Sequence, residues 1–126
     1  MSQPVVHFEI IGTDPGRLRS FFGELFGWRY ERTPVAAAVS EPDNYGFIEL
    51  LTASDGSGIR GGVGGGSGYE SRALFYVGVP DVERALERAD SLGGERTMGP
   101  ETSPTGLVVG QFTDPAGNLI GLASAG

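Results

Sequence analysis

The chain has 126 residues, enough for one domain with its own buried core, and it contains no cysteine and a single histidine. Disulfides, thiolate chemistry and metal sites built from several histidines of one chain are therefore excluded. The 9 basic and 16 acidic residues give a net charge of −7, which argues against binding nucleic acid or an anionic membrane, because phosphates attract Lys and Arg.

The N-terminal segment MSQPVVHFEI has neither the basic lead nor the long apolar stretch of a secretory signal. No segment approaches the roughly 20 apolar residues that a membrane span needs. We therefore expect a cytoplasmic protein without a membrane or nucleic-acid partner.

The first half of the chain predicts a strand followed by a helix. Val5–Ile11 is short and β-rich. Asp14 is a good N-cap, Pro15 suits the first helical position, and Gly27 is a candidate left-handed C-cap. The helix carries an apolar stripe that predicts core packing, made of Leu18, Phe21, Phe22 and Leu25.

Further strands are predicted after this helix, with turn residues between them. The candidates are Trp28–Arg32, Val35–Ser40 (which its alanines disfavour), Phe47–Thr52 and Gly58–Val63. Gly64–Gly68 has the composition of a flexible linker.

The second half repeats this order. Ala73–Val79 predicts a strand, and Pro80-Asp81 opens a helix with Val82, Ala85, Leu86, Ala89 and Leu92 on one face. Glu95 begins an irregular stretch with two prolines. Leu107–Thr113 and Leu119–Ala123 predict strands joined by a turn at Asp114–Asn118. The helix arginines, Arg17, Arg19, Arg84 and Arg88, are predicted to be solvated.

An internal repeat relates the two halves. A shift of 67 residues places Phe8 on Phe75, Asp14 on Asp81 and Gly27 on Gly94. Neither half buries its own apolar face well, so we expect one domain over residues 1–126, made of two repeats at about 1–66 and 71–126.

The segments VVHFEIIGTDPGRLRSFFGELFGW, LFYVGVPDVERALERADSLGG and TDPAGNLIGL together resemble the glyoxalase / bleomycin-resistance / extradiol-dioxygenase superfamily, the vicinal oxygen chelate fold. The resemblance covers almost the whole chain and implies an α+β fold. Two βαβββ modules would form an open, cup-shaped mixed sheet with the helices on its outer face. It also implies a small-molecule ligand and a homodimer, but the fold alone does not name a reaction.

Enzymes of this family hold a divalent metal at four positions, on the first and last strands of each module. His7 matches the first position, whereas Leu74 and Gly121 stand at two others, and Gly61 or Gly62 stands at the fourth. One imidazole alone is a poor metal site, so we expect no metal and no other cofactor. A displaced site using Glu9 and Glu49, or a second copy's His7, is the alternative.

Strand parity within the resemblance predicts the residues that line the cup. If His7 faces inward, Glu9 does too, and the predicted ligand-binding set is His7, Glu9, Tyr45, Phe47, Glu49, Tyr76 and Gln111. The leading hypothesis is a metal-free protein that binds an aromatic or planar molecule. One alternative is a glyoxalase-type lyase or isomerase, or a dioxygenase, with a displaced metal site or a metal-free His7/Glu9 acid–base pair. The other is a regulatory subunit with a vestigial cavity.

Overall fold

The computed structural model describes residues 2–49 and 58–125. It contains two βαβββ modules with mixed sheets, so the predicted α+β fold class is confirmed. The first module comprises β1 (Val5–Gly12), α1 (Pro15–Phe26), β2 (Tyr30–Arg32), β3 (Gly46–Ile48) and β4 (Arg60–Gly65). The second comprises β5 (Arg72–Gly78), α2 (Val82–Ser91), β6 (Glu95–Thr102), β7 (Val108–Thr113) and β8 (Leu119–Ser124).

The chain divides into two compact units that do not coincide with the two sequence repeats. The first unit is His7–Ala73, and the second unit is Met1–Val6 together with Leu74–Gly126. In the second unit, the amide of Gly78 donates to the carbonyl of Pro4 at 2.8 Å. The N-terminal residues therefore pack with the later part of the chain.

In the first unit, the strands lie in the order β2-β3-β4-β1. β1 runs parallel to β4, with Glu9 beside Gly62, and β3 is antiparallel to both β2 and β4. Helix α1 packs against β4. This register fixes which residues of β1 and β4 share a face of the sheet.

The predicted ends of α1 are confirmed. The Asp14 side chain accepts a hydrogen bond from the Arg17 amide at 3.2 Å, Pro15 opens the helix, and Gly27 closes it at φ 74°. The prediction of the apolar stripe is wrong for Phe21 and Leu25, which are 58% and 59% exposed.

Arg19 is the opposite case, because it was predicted to be solvated and is only 8% exposed. Its guanidinium donates to the carbonyl of Asn44 at 3.1 Å, to the Asn44 side-chain oxygen at 2.8 Å and to the carbonyl of Val63 at 3.4 Å. These acceptors permit burial, although desolvation lowers the Arg19 pKa from its usual value. Arg19 thus ties α1 to the loop before β3 and to β4.

Two loop predictions need correction. Val35–Ser40 forms no strand; it is a turn region whose Val35, Ala36, Val39 and Ser40 are buried. Gly64 and Gly65, assigned to a linker by composition, belong to β4, and Gly64–Gly66 is buried. Ser54-Asp55-Gly56, whose composition predicts a turn, and the end of the predicted strand Phe47–Thr52 fall outside the described residues.

The second unit has the strand order β5-β8-β7-β6, with β5 parallel to β8 and the other pairs antiparallel. Asp81 caps α2 as Asp14 caps α1, by accepting from the Arg84 amide at 3.1 Å. Val82 and Leu86 are buried as predicted, but Leu92, placed on the same face, is 62% exposed. α2 packs on β6, β7 and β8.

The secondary structure of the stretch that follows α2 also differs from the prediction. The segment predicted to be irregular from Glu95 onward forms β6, which pairs with β7 through two register shifts. The turn at Asp114–Asn118 is confirmed, since the Asp114 carboxylate accepts from the amides of Ala116 and Asn118. Among the described residues, no helix is long and apolar enough to cross a membrane.

Candidate functional site

A hydrogen-bonded chain of three ionisable side chains lies in the first unit. His7 and Glu9 are two residues apart on β1 and so share a face of the sheet. Tyr45, immediately before β3, bridges them. Its hydroxyl lies 2.9 Å from His7 Nε2 and donates to Glu9 Oε1 at 3.0 Å. Glu9 and Tyr45 are each 2% exposed.

With Glu9 ionised, these bonds have one arrangement of protons. A tyrosine hydroxyl carries a single proton, and Tyr45 donates its proton to Glu9. With Tyr45 donating to an ionised Glu9, the bond between Tyr45 and His7 places a proton on His7 Nε2. In the neutral ring, Nδ1 is then the unprotonated nitrogen.

His7 is neutral at physiological pH. Burial, and to a smaller extent the nearby positive charge of Arg60, lower the pKa of its imidazole from 6.5 to about 4. A carboxylate and an imidazole held in a buried cluster are costly for stability, and such groups concentrate at functional sites.

Phe47 adds an aromatic surface to the chain of ionisable groups. Its ring centre lies 5.7 Å from that of His7 and 4.9 Å from that of Tyr45, and both pairs are tilted. Phe47 is half-buried. We define the polar–aromatic cluster as His7, Glu9, Tyr45 and Phe47.

Glycines of β4 make room for the Tyr45 ring. A Cβ atom at Gly62 would lie 2.2 Å from Tyr45, and one at Gly64 would lie 2.5 Å from it. Real Cβ atoms do not approach so closely, so only glycine fits at these two positions. The Tyr45 ring therefore packs directly against the backbone of β4.

The second unit contains a matching arrangement. Gln111 Nε2 donates to the Tyr76 hydroxyl at 2.9 Å in a buried bond. Tyr76 pairs with Gly121 in the β5–β8 register, and a Cβ atom at Gly121 would lie 2.4 Å from the Tyr76 ring. Each unit thus places a tyrosine ring over a glycine of its last strand.

Glu49 lines a cleft whose lining includes no residue of the polar–aromatic cluster. Glu49 follows the end of β3, is exposed, and lines a small cleft of about 90 Å³ that also contains Phe8 and Trp28. The alternation of side chains along a strand predicted that Glu49 shares a face with Phe47. β3 ends at Ile48, so this alternation does not extend to Glu49.

Sequence reasoning missed three contributors to the cluster. Arg60 influences His7 through its charge, while Gly62 and Gly64 accommodate Tyr45. The alternation of glycines in a β-strand was the available signal, because it marks a place where another group approaches the backbone closely.

A family model described as "Glyoxalase/Bleomycin resistance protein/Dioxygenase superfamily" matches residues 5–122. The chain belongs to this superfamily. A solved Streptomyces coelicolor methylmalonyl-CoA epimerase variant in complex with 2-nitronate-propionyl-CoA is similar, with a TM-score of 0.69, 16% identity, and coverage of 98% of this chain and 95% of that chain. A superfamily member from Vibrio splendidus 12B01 has a TM-score of 0.58, 18% identity, and coverage of 98% and 99%. These likenesses concern the fold, and no curated protein sequence matches the chain.

The residues present do not fit the divalent metal that the superfamily implies. Matching registers pair Glu9 with Gly62 and Tyr76 with Gly121, so glycines stand on the last strand of each module. Tyrosine rings occupy the space of the missing side chains. Within residues 2–49 and 58–125, no group of three or more His, Cys, Asp or Glu side chains is arranged to hold a metal ion. The displaced set of His7, Glu9 and Glu49 is not such a group among these described residues.

Proposed function

We propose that this protein binds a small aromatic or planar molecule at the polar–aromatic cluster of the first unit, without a metal. The observation that carries the proposal is the buried His7–Tyr45–Glu9 hydrogen-bond chain with a neutral imidazole. Aromatic side chains beside a few fixed polar groups are the usual composition of a small-molecule site.

The chemistry of the cluster favours a ligand with both a flat apolar face and a polar edge. The half-buried Phe47 ring offers stacking, since offset or tilted aromatic pairs contribute about 0.5–1.5 kcal/mol beyond area burial. The imidazole of His7 is uncharged, so it favours a hydrogen-bonding group over an anion. We also propose Tyr76 and Gln111, the bonded pair of the second unit, as ligand-binding residues.

Binding is tested with a panel of aromatic and planar compounds, screened by melting temperature and tryptophan fluorescence and confirmed by calorimetry. The likeness in fold to an epimerase solved with an acyl-CoA analogue adds acyl-CoA thioesters to the panel. We expect Tyr45→Phe and Phe47→Ala each to weaken binding by about tenfold or more, the loss typical of a hydrogen bond or an aromatic contact.

Tyr69→Phe is the matched control. It removes a hydroxyl of the same unit that donates to the carbonyl of Ala37, outside the cluster. Binding unchanged by both cluster variants, or no response to any compound, would contradict the proposal.

A second candidate, metal-free acid–base catalysis, is favoured by the Tyr45 bridge. A substrate proton taken by His7 Nδ1 can be balanced by transfer of the Nε2 proton to Tyr45 and of the Tyr45 proton to Glu9. The result is a neutral His7 and a protonated Glu9, with the reverse transfers completing a cycle.

Turnover separates the two candidates. Catalysis predicts that His7→Ala abolishes conversion of a substrate while the thermal unfolding transition persists. A ligand that binds tightly and is recovered unchanged leaves binding as the function. Conversion that survives His7→Ala at the full rate rules out the acid–base role.

A further inference from the structure

An open groove of about 940 Å³ lies beside helix α2 in the second unit, and we call it the α2 groove. Its floor is apolar: Val79 and Leu122 are buried, and Val77, Ala85 and Phe112 are half-buried. Sites for small molecules have volumes of roughly 300–1,000 Å³ and mostly apolar walls. The α2 groove therefore has the size and composition of a ligand site, and it shares no residue with the polar–aromatic cluster.

The internal repeat explains why this groove is open. Both helices follow an aspartate cap, so their positions can be compared residue by residue. The shift of 67 residues places Ala85 at the position of Leu18 and Ala89 at the position of Phe22. Removing large side chains from a packed position leaves space that the surroundings fill only in part. Helix α2 thus leaves open a place that α1 fills with its own side chains.

The sheet offsets part of the loss at the first of these positions. In the first unit, Leu18 packs over the backbone of Gly12, where a Cβ atom would lie 2.7 Å from Leu18 Cδ1. The same shift places Val79 at the Gly12 position, and Val79 belongs to the buried core of the second unit. The open space is therefore determined mainly by Ala89.

The first unit shows which chemical group belongs at the second position. There the Phe22 ring packs against the rings of Trp28 and Phe26, with centres 5.3 Å and 6.0 Å away. The shift of 67 residues places Glu95 and Gly93 at those two neighbouring positions. The second unit therefore lacks a cluster of three aromatic rings, and an aromatic ligand would restore part of that packing.

Two guanidinium groups line the same groove. Arg84 and Arg88 lie four residues apart on α2 and so share a face of the helix. Both are exposed, and in the part of the chain that the structure describes neither guanidinium has a hydrogen-bond or ion-pair partner. Guanidinium groups form strong hydrogen bonds with carboxylates, so the pair favours a ligand that carries one.

The acidic side chains that line the groove are engaged elsewhere. Asp81 and Asp114 accept hydrogen bonds from backbone amides, at the start of α2 and within the turn before β8. Glu87 lies near the guanidinium of Arg96, which is not part of the groove. The two arginines of α2 are therefore the charged groups that face a ligand without another partner.

We propose that the α2 groove binds an aromatic carboxylate, with its ring against Phe112 and Ala89 and its carboxylate on Arg84 and Arg88. The proposal does not depend on the function of the polar–aromatic cluster. A cationic ligand is disfavoured by the two arginines. An anion without an apolar body would leave the floor of the groove uncovered.

The test is calorimetry of the full chain with 2-naphthylacetate, 2-naphthylacetamide and 2-(2-naphthyl)ethylammonium, which share a ring system and differ in charge. We expect the carboxylate to bind most tightly and the ammonium compound most weakly. Ala89→Phe introduces the residue of the first unit and should weaken binding at least tenfold by filling the groove. Ala38→Phe, the same exchange at an exposed alanine of the first unit, is the matched control and should change nothing. Backbone amide NMR should show ligand-induced shifts along α2 and at Phe112.

The arginines are tested by a variant that changes only exposed positions. The combined Arg84→Gln and Arg88→Gln variant should weaken binding of 2-naphthylacetate about tenfold, at about threefold for each exposed ion pair, and leave 2-naphthylacetamide unaffected. Arg17→Gln is the control, because Arg17 is the equivalent residue of α1. Circular dichroism and thermal unfolding check that the variants are folded, and the arginine variant tests the site even if Ala89→Phe does not fold.

Three results would each overturn the proposal. The first is no binding of 2-naphthylacetate, and the second is equal binding of the carboxylate and the ammonium compound. The third is binding that a folded Ala89→Phe and the arginine variant both leave intact. Sedimentation velocity identifies a different occupant: a dimer that Ala89→Phe disrupts, together with no ligand binding, would show that a second copy covers the groove.

Discussion

The protonation of His7 can be measured directly, because it is the sole histidine of the chain. Burial and the Arg60 charge hold its pKa at about 4, against 6.5 for an unperturbed histidine. The native imidazole therefore stays uncharged down to about pH 4, whereas the unfolded chain takes up a proton near pH 6.5. The free energy of unfolding must fall as the pH drops from 6.5 towards 4.

The magnitude follows from the displacement of the pKa. Each pKa unit corresponds to about 1.4 kcal/mol, so the full loss from this one group is about 3 kcal/mol, of which about 2.5 kcal/mol is reached by pH 4.5. Above pH 6.5 His7 contributes no pH dependence. A loss of about 3 kcal/mol is a large share of the roughly 5–15 kcal/mol that stabilises a typical domain.

Urea unfolding of wild type and His7→Gln at pH 7.5 and 4.5 isolates the effect. Glutamine carries no charge at either pH, and the carboxylates outside the His7–Tyr45–Glu9 chain titrate alike in both proteins, so their contributions cancel in the comparison. We expect wild type to lose about 2.5 kcal/mol more than the variant on acidification. Proton NMR of the single imidazole gives the native pKa independently. An imidazole that titrates near pH 6.5, or equal losses in the two proteins, would refute the reasoning.

Three further predictions concern packing and composition. Arg19→Met should lower the free energy of unfolding by about 2–3 kcal/mol, because the buried carbonyls of Asn44 and Val63 lose their donor. Gly62→Ala should cost about 1–3 kcal/mol, since the added methyl group meets the buried Tyr45 ring at 2.2 Å. The untagged protein should contain no stoichiometric metal by plasma mass spectrometry after dialysis against Zn²⁺, Ni²⁺, Mn²⁺ or Fe²⁺, because the glycines of the last strands supply no ligand.

Matched variants accompany these experiments. Arg17→Met removes an exposed arginine of the same helix and should change stability by less than about 0.5 kcal/mol. Gly16→Ala adds a methyl group at a position with only an ordinary 3.8 Å contact. Equal effects of Arg19→Met and Arg17→Met would show that the Arg19 hydrogen bonds contribute little. A near-stoichiometric metal would return the metal-dependent chemistries of the superfamily to consideration.

Local signals predicted the helix ends well, because the groups that cap a helix lie within a few residues of it. Asp14 and Asp81 each accept from the amide three residues ahead, and Gly27 adopts the left-handed conformation expected of a stop. Both helices could therefore be placed from sequence, and their equivalence supported the repeat.

Predictions failed where a residue depends on distant partners. Arg19 carries the charge pattern of a solvated residue, yet its acceptors come from Asn44 and Val63, 25 and 44 positions away. Gly64 has the composition of a linker, but its lack of a side chain serves the Tyr45 ring. Neither partnership is encoded in the neighbouring sequence.

Part of the candidate site could be predicted from the sequence, because strand alternation is a local signal. Alternation along β1 placed His7 and Glu9 on one face, because both belong to a single regular strand. The Tyr45 bridge depends on where β3 begins, and the placement of Glu49 after the strand depends on where β3 ends. Turn chemistry alone did not determine either point.

The offset between the sequence repeats and the compact units limits how the protein can be divided into fragments. Residues 2–6 pack with the second unit, so a cut within Gly66–Glu70 leaves each fragment with the wrong share of β1. The C-terminal fragment would lack the Pro4 carbonyl that accepts a hydrogen bond from the Gly78 amide. The N-terminal fragment would carry residues 2–6 without the unit in which they pack. A separately expressed second unit should therefore include Ser2–Val6, joined by an engineered loop ahead of Leu74.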